Sequence, residues 1–269
     1  TLQVLSNDSN DFYVAATTKT LTNGTASFNN LRMFNARPDA WAMVVDQDSV
    51  YPSGVSSTFT VSAAGASRLI VLLPGEAYAP GQPDQSPATF NCALAGAACG
   101  KLTGQPPSIG IAGVSYSPTV FATDGFYNTV SSNVAVTLTP SDAYVAGQTQ
   151  TLAAGTTAFT FSLRTANAAA AFTPSGGTLT GYQSHAFDLQ AAGPARLVVT
   201  APGESVLPGS PSGKSGSPSA QEAGTSYDFT ATLTDAFNNP VPAPATIALR
   251  AATLDPNDTP DPDTGSSIV

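Results

Sequence analysis

The sequence is poor in the residues from which active sites and nucleic-acid interfaces are built. Its 269 residues contain one His, two Cys, one Trp, nine Lys or Arg and 18 Asp or Glu, for a formal net charge of −9. Nucleic acids and anionic lipid surfaces are bound through clustered Lys and Arg, so this balance argues against both as partners. No apolar run approaches the roughly 18 residues of a membrane span, and membrane insertion is therefore not predicted.

The chain also offers little for catalysis. Its one His, His185, stands in QSHAFDL with no accompanying Asp, Ser or Cys pattern, which favours a surface strand position over a general base. Glu76 and Glu204 recur in the same PGE context, where an exposed turn residue is the simpler interpretation. Trp41 lies in the apolar run AWAMVV and is predicted to be a core residue. We predict no enzyme and no catalytic residue.

Turn-forming residues are abundant and evenly spread. The 23 Gly and 22 Pro residues separate short runs that are rich in Val, Thr and Phe. Helical signals are weak, because the most Ala-rich run, TANAAAAFTPSGG, is soon ended by Pro and Gly. This pattern is typical of an all-β chain, in which Gly and Pro mark the turns between strands.

One stretch of the sequence occurs twice. RLIVLLPGE, residues 68–76, returns as RLVVTAPGE, residues 196–204. The similarity extends upstream through an AAG turn, and downstream GVSYSPTVFATDGFYNTV, from Gly113, aligns without a gap with GTSYDFTATLTDAFNNPV, from Gly224. TLTNGTASFNNLR, from Thr20, also matches TLAAGTTAFTFSLR, from Thr151. A unit of this size is too long for a solenoid repeat and fits an independent β-sandwich domain.

The repeat predicts three segments. Residues 67–194 form one complete domain, residues 1–66 correspond to the C-terminal part of a domain, and residues 195–269 to the N-terminal part of another. The complete copy carries a loop insertion at about 82–112, which contains both Cys residues. For Cys92 and Cys99 we favour a local disulfide over two free thiols, because flanking Gly and Ala let a short loop close. A disulfide indicates an oxidising, extracytoplasmic location.

The order AAGPARLVVTAPGE, AGTSYDFTATLTDAFNNPV and ATIAL resembles the bacterial immunoglobulin-like tandem repeats of invasin, intimin and other surface adhesins. In that family the TDxFxNxV element is a strand that runs into a turn, and here it occurs at residues 123–130 and 234–241. The resemblance implies tandem Greek-key β-sandwich domains and a cell-surface or secreted setting. It transfers no catalytic residue and no cofactor.

Half a sandwich exposes its inner apolar face and unpaired strand edges. Two explanations of the terminal segments remain open. The chain is a window cut from a longer array of repeats, or the front part of one subunit completes the rear part of the next in a head-to-tail fibre. Either explanation predicts contact with neighbouring copies of the same repeat.

Two kinds of candidate surface site remain. The segment LDPNDTPDPDTG brings together Asp255, Asp258, Asp261 and Asp263, which can bind calcium through their oxygen atoms or form a solvated acidic linker stiffened by Pro. Glycosylation sequons occur at Asn7, Asn23 and Asn257.

These features together favour a structural protein outside the cell or on its surface, acting as part of an adhesin stalk or as a filament subunit. The alternatives are a glycan- or protein-binding module and an accessory region of a secreted enzyme.

Overall fold

The computed structural model describes residues 2–7, 12–13, 18–29, 31–81, 100–102 and 104–242. Within these residues the protein is all-β, with several small sheets and no helix. The chain divides into two compact units, Thr1–Gln190 and Ala191–Val269. In the described part of the chain no helix is long and apolar enough to cross a membrane.

Among its described residues, the first unit contains twenty strands. In the N-terminal segment they are β1 Leu2–Ser6, β2 Phe12–Tyr13, β3 Thr18–Lys19, β4 Leu31–Arg32, β5 Arg37–Ala40, β6 Ala42–Asp46, β7 Gly54–Val55 and β8 Phe59–Val61. They continue with β9 Arg68–Leu72, β10 Gly110–Ile111, β11 Ser115–Tyr116, β12 Thr119–Thr123, β13 Ala135–Pro140 and β14 Gln148–Thr151. The last six are β15 Thr156–Ala158, β16 Phe161–Ser162, β17 Asn167–Ala170, β18 Phe172–Ser175, β19 Thr180–Gly181 and β20 Phe187–Gln190. The second unit has β21 Arg196–Thr200, β22 Glu204–Val206, β23 Lys214–Gly216 and β24 Thr230–Thr234.

Two four-stranded sheets are the largest, with strand orders β3-β1-β6-β7 and β15-β12-β9-β19. Three-stranded sheets have the orders β10-β20-β17 and β14-β13-β18, and β11-β16, β2-β4, β5-β8, β21-β24 and β22-β23 form pairs. We call residues 68–130 the central front half and residues 131–190 the central rear half. Strands from the two halves pair at β9-β19, β12-β15, β11-β16 and β10-β20, so the halves are interleaved.

The alternation of the strands explains their faces. In β13, Val136 and Leu138 are fully buried, Thr137 between them is half-buried, and Ala135 and Thr139 on either side are exposed. A period of two directs alternate side chains to opposite faces of a sheet, and here one face meets the core.

The core of the central halves draws on both of them. The front half contributes Leu69, Val71, Leu73, Tyr116, Val120 and Ala122. The rear half contributes Val136, Leu138, Leu152, Phe159, Phe161, Leu163, Ala170, Phe172, Phe187 and Leu189. Tyr116 of the front half stacks on Phe187 of the rear half with ring centroids 4.4 Å apart. Neither half buries its apolar face without the other.

The two copies of the RLxV motif have the same strand register. In the first copy Arg68 of β9 lies opposite Thr123 of β12, and in the second Arg196 of β21 lies opposite Thr234 of β24. These are the residues that the internal alignment equates, although the insertion makes the two spacings unequal. We call residues 191–242 the C-terminal front half.

The N-terminal segment repeats the pairing of the central rear half. Ala40 of β5 lies opposite Phe59 of β8, and Ala170 of β17 lies opposite Phe187 of β20, each pair with a register shift at the same place. The pair β1-β6 likewise corresponds to β13-β18. We call residues 2–66 the N-terminal rear half. Where one domain ends and the next begins stays a prediction.

The repeat contains a hairpin turn whose glycine, Gly24 or Gly155, adopts a positive φ, and at Gly155 close packing also requires glycine. Asn23-Gly24 and Ala154-Gly155 occupy the tips of equivalent hairpin turns with positive φ at both residues, the geometry that twisted hairpins favour. A Cβ on Gly24 would meet nothing, whereas one on Gly155 would lie 2.1 Å from the Val130 carbonyl oxygen. Glycine at 155 is therefore required by packing as well as by conformation.

Candidate functional site

The TDxFxNxV element forms a buried polar corner, which we call the Asp–Asn corner. Asp124 Oδ1 accepts hydrogen bonds from the backbone N–H of Phe126 at 2.8 Å and of Asn128 at 2.9 Å. Its Oδ2 accepts from Asn128 Nδ2 at 3.0 Å. Asp124 and Asn128 are both buried. The carboxylate therefore closes its own turn by replacing the partners that the backbone N–H groups lose at the end of β12.

The same corner is built in the second copy. Asp235 Oδ1 accepts from Phe237 N at 2.8 Å and Asn239 N at 2.9 Å, and its Oδ2 accepts from Asn239 Nδ2 at 2.8 Å. The residue just before the Asn of each corner, Tyr127 or Asn238, has φ near +65°. Such a conformation is unfavourable for Tyr, and the hydrogen bonds of the corner hold it in place.

Each corner also binds the linker that precedes its first strand. Ala64 N donates to Asp124 Oδ2 at 3.0 Å, and Ala192 N donates to Asp235 Oδ2 at 3.0 Å. Both alanines belong to the AAG turn that runs into the RLxV strand. One carboxylate thus fastens the linker to the turn in both copies.

In the first copy the corner reaches further, to the N-terminal rear half. Asn128 Nδ2 donates to the Phe34 carbonyl oxygen at 2.8 Å, and Asn128 Oδ1 accepts from Ala36 N at 2.8 Å. The rings of Phe34 and Phe126 pack with centroids 4.8 Å apart. Asn128 therefore uses its donor and acceptor together to connect the central front half with the N-terminal rear half.

A second polar cluster joins the two central halves. Glu76, at the end of the front-half PGE turn, accepts from Leu73 N at 2.7 Å and from Lys101 Nζ at 2.8 Å through Oε2. Its Oε1 lies 2.5 Å from Nδ1 of His185, a rear-half residue. An ionised carboxylate only accepts hydrogen bonds, so Nδ1 carries the proton. The three side chains are 1%, 4% and 9% exposed in the order Glu76, Lys101, His185.

Charge is retained in this cluster despite its burial. Burial alone would raise the pKa of Glu76, but the hydrogen bond from His185 and the charge of Lys101 outweigh it and hold that pKa below its usual value. Burial lowers the pKa of Lys101, which Glu76 opposes. Burial and the nearby negative charge of Glu76 also raise the pKa of Tyr116. The cluster is a buried ion pair within the front half, and the same carboxylate also contacts His185 of the rear half.

The ion pair recurs in the C-terminal front half. Glu204 Oε2 accepts from Ala201 N at 2.9 Å and from Lys214 Nζ at 3.1 Å. Lys214 lies opposite Val206 just as Lys101 lies opposite Tyr78. This Lys is more exposed than Lys101, its side chain keeping 38% of its accessible surface.

Burial contradicts two predictions from the sequence. Glu76 is not an exposed turn residue, and His185 is not at the surface, because the two side chains bury each other across the core. Their partnership spans distant segments, and no short motif signals it. The prediction that Trp41 is a core residue is also wrong, because Trp41 is half-buried and does not belong to the buried core.

Other predicted sites fall partly outside the described residues. Cys92, Cys99, Asn257 and the four aspartates of the predicted calcium loop lie there, so the disulfide and the calcium site stay predictions. Among the described residues, no group of three or more His, Cys, Asp or Glu side chains is arranged to hold a metal ion.

The two described sequon asparagines differ in their surroundings. Asn23 is exposed at the tip of its hairpin turn. Asn7 is half-buried, and its side chain donates to the Asp39 carbonyl oxygen at 2.8 Å and accepts from Trp41 N at 3.0 Å. Asn23 is therefore the better presented of these two acceptors.

Comparison of the chain with known protein families and with curated proteins gives no match.

Proposed function

We propose that this protein is a structural component of an extracellular or cell-surface assembly, a repeat subunit of an adhesin stalk or head-to-tail filament built from immunoglobulin-like Greek-key β-sandwich domains. The observation that carries the proposal is the Asp–Asn corner, because it occurs at both copies of the linker and makes the same bond there. A repeat whose linker is held by hydrogen bonds resists bending at the joint, whereas a flexible linker behaves as a random coil.

Two further features support a mechanical role. The recurring strand registers support an array of like units, and their interleaved halves mean that a domain opens only when many backbone hydrogen bonds break together. The buried carboxylate of Glu76 contacts His185 and so connects the central front half to the central rear half.

Single-molecule force measurements on the full chain, held at its two ends, test the mechanical part of the proposal. We expect Asp124→Ala to lower the force at which the first unfolding event occurs, because it removes the acceptor of the linker and of the adjoining turn. The matched control is Asp228→Ala, at an exposed position of the C-terminal front half. If the two variants unfold at the same force as the unaltered chain, the corner does not carry load.

The location is tested separately. Antibodies raised against the chain should label intact source cells or the material around them, seen by electron microscopy. Labelling only after the cells are opened would contradict a surface or extracellular role.

A further inference from the structure

We propose that the exposed apolar face of the C-terminal front half is covered by the N-terminal rear half of a second copy of this chain, so that one domain is completed from two molecules. This inference rests on the filament form of the proposed function and names its partner. Its basis is that the central halves show, within the same chain, how such a front and rear half fit together.

The front-half face has the residues of a core but is exposed. Leu197 and Val199 of β21 are 46% and 40% exposed, whereas their counterparts in β9, Leu69 and Val71, are 0% and 1% exposed. The registers of β9 and β21 are the same, so the difference is that β9 has a rear half packed on it. Phe229, just before β24, is also exposed.

The rear-half face shows the complementary defect. Phe59 of β8 is 43% exposed and Leu21 is 44% exposed, while their counterparts in the central rear half, Phe187 and Leu152, are 3% and 1% exposed. In the central domain those counterparts share one cluster with Leu69 and Val71. The side chains left uncovered at one end of the chain are therefore the partners of those left uncovered at the other.

A groove marks the surface on which the front half would sit. It has a volume of about 190 Å³, and its lining includes Leu2, Leu21, Val50 and Tyr51. By register, Leu2 corresponds to Val136, which is a buried core residue in the central domain. An apolar groove at core positions matches the aliphatic side chains of β21 in kind.

Strand edges make the fit specific. In the central domain β12 pairs with β15, with Thr119 opposite Ala158. The equivalent strand β24 pairs, among the described residues, only with β21. The internal alignment then places Thr230 of one chain opposite Ser27 of the next.

The strand that changes partner points to the same conclusion. In the central domain β19 leaves its own half and pairs with β9 of the front half. Its counterpart β7, which has the same position in strand order between β6 and β8, pairs with β6 instead. On assembly we expect β7 to stop pairing with β6 and to pair with β21 of the second copy instead.

Two variants, each blocking one face, test the proposal by molecular mass in solution. Leu197→Asp places a charge on the front-half face, and Phe59→Asp places one on the rear-half face; both residues are exposed, so neither change should disturb the fold of the free chain. We expect the unaltered chain to form oligomers that lengthen with concentration, each variant alone to stay monomeric, and an equal mixture of the two to stop at a dimer.

A heterodimer from two monomeric variants is the signature of a head-to-tail contact. Val114→Asp, at an apolar position that is 55% exposed and belongs to neither face, should behave like the unaltered chain. The proposal is wrong if the unaltered chain stays monomeric, if the mixture stays monomeric, or if Phe59→Asp alone still dimerises through two front faces. None of these results would affect the force or location tests, which separates failure of this contact from failure of the structural role.

The register is tested by cross-linking the same mixture after Cys92 and Cys99 are replaced by Ser. Cysteines at Ser27 of the Leu197→Asp chain and at Thr230 of the Phe59→Asp chain should form a disulfide between chains. Moving the second cysteine to Thr234, at the far end of β24, should abolish it. Equal yields from both positions would show that the chains do not pair as the central halves do.

Discussion

Replacing Glu76 by Gln should lower the stability of the central front half. The same change at the repeat equivalent, Glu204, should lower the stability of the C-terminal front half much less. Glu76 and Lys101 are almost fully buried with their charged atoms 2.8 Å apart, and Gln removes the carboxylate charge that pairs with the buried Lys. Removing one partner of such a pair costs about 3–5 kcal/mol. Lys214, the partner of Glu204, is partly exposed, so water screens its charge and the Glu204→Gln change should be much smaller.

The assay is amide hydrogen exchange, read in peptides that cover β9 and β12. A loss of about 3 kcal/mol corresponds to exchange that is roughly a hundredfold faster or more in those strands. Adding Lys101→Met to Glu76→Gln should restore much of the protection, because the double change also removes the buried Lys charge. If Glu76→Gln and Glu204→Gln have equal effects on their own strands, or if the second change gives no recovery, the buried pair does not stabilise the central front half as argued.

Three further predictions use matched positions or pH. Phe187→Ala should lower the free energy of unfolding by about 3–5 kcal/mol, and Phe59→Ala by much less, as judged by urea denaturation, because only Phe187 is enclosed. Gly155→Ala should lower the melting temperature more than Gly24→Ala. Alanine is strained by the positive φ at both positions, but only at 155 would its Cβ collide with a carbonyl group. Burial would raise the pKa of Asp142, but four hydrogen bonds outweigh it and lower that pKa. The stability that Asp142 provides is therefore present above its usual pKa and is lost as the pH falls through the lowered value. Asp142→Asn should flatten the acid limb of a curve of unfolding free energy against pH.

The internal repeat made the equivalence of the two strand pairs predictable from the sequence. Two strand pairs with unequal spacing were equated by their residues alone, and the structure places Arg68 and Arg196 opposite equivalent threonines. Short strands, Gly-rich turns and the absence of helical patterns likewise predict an all-β chain, which the described residues confirm.

Side-chain partners from distant segments were not predictable in this way. Glu76 meets His185 only because β9 and β19 lie side by side, and Ser57 takes the place of His185 in the N-terminal copy, so the repeat gives no hint of the contact. Asn128 is part of a recognisable motif, but its bond to Phe34 joins two different repeats and depends on how they pack.

The fastening of the linker has a consequence for proteolysis. Small residues such as those of the two AAG turns are usual points of attack, because a protease must draw several extended residues into its cleft. Here Ala64 and Ala192 are each held by a buried carboxylate that also closes the neighbouring turn. Cleavage of an AAG turn then requires the Asp–Asn corner to open first. The stability of the front half that follows each turn therefore protects a segment whose small residues would otherwise make it an easy point of attack.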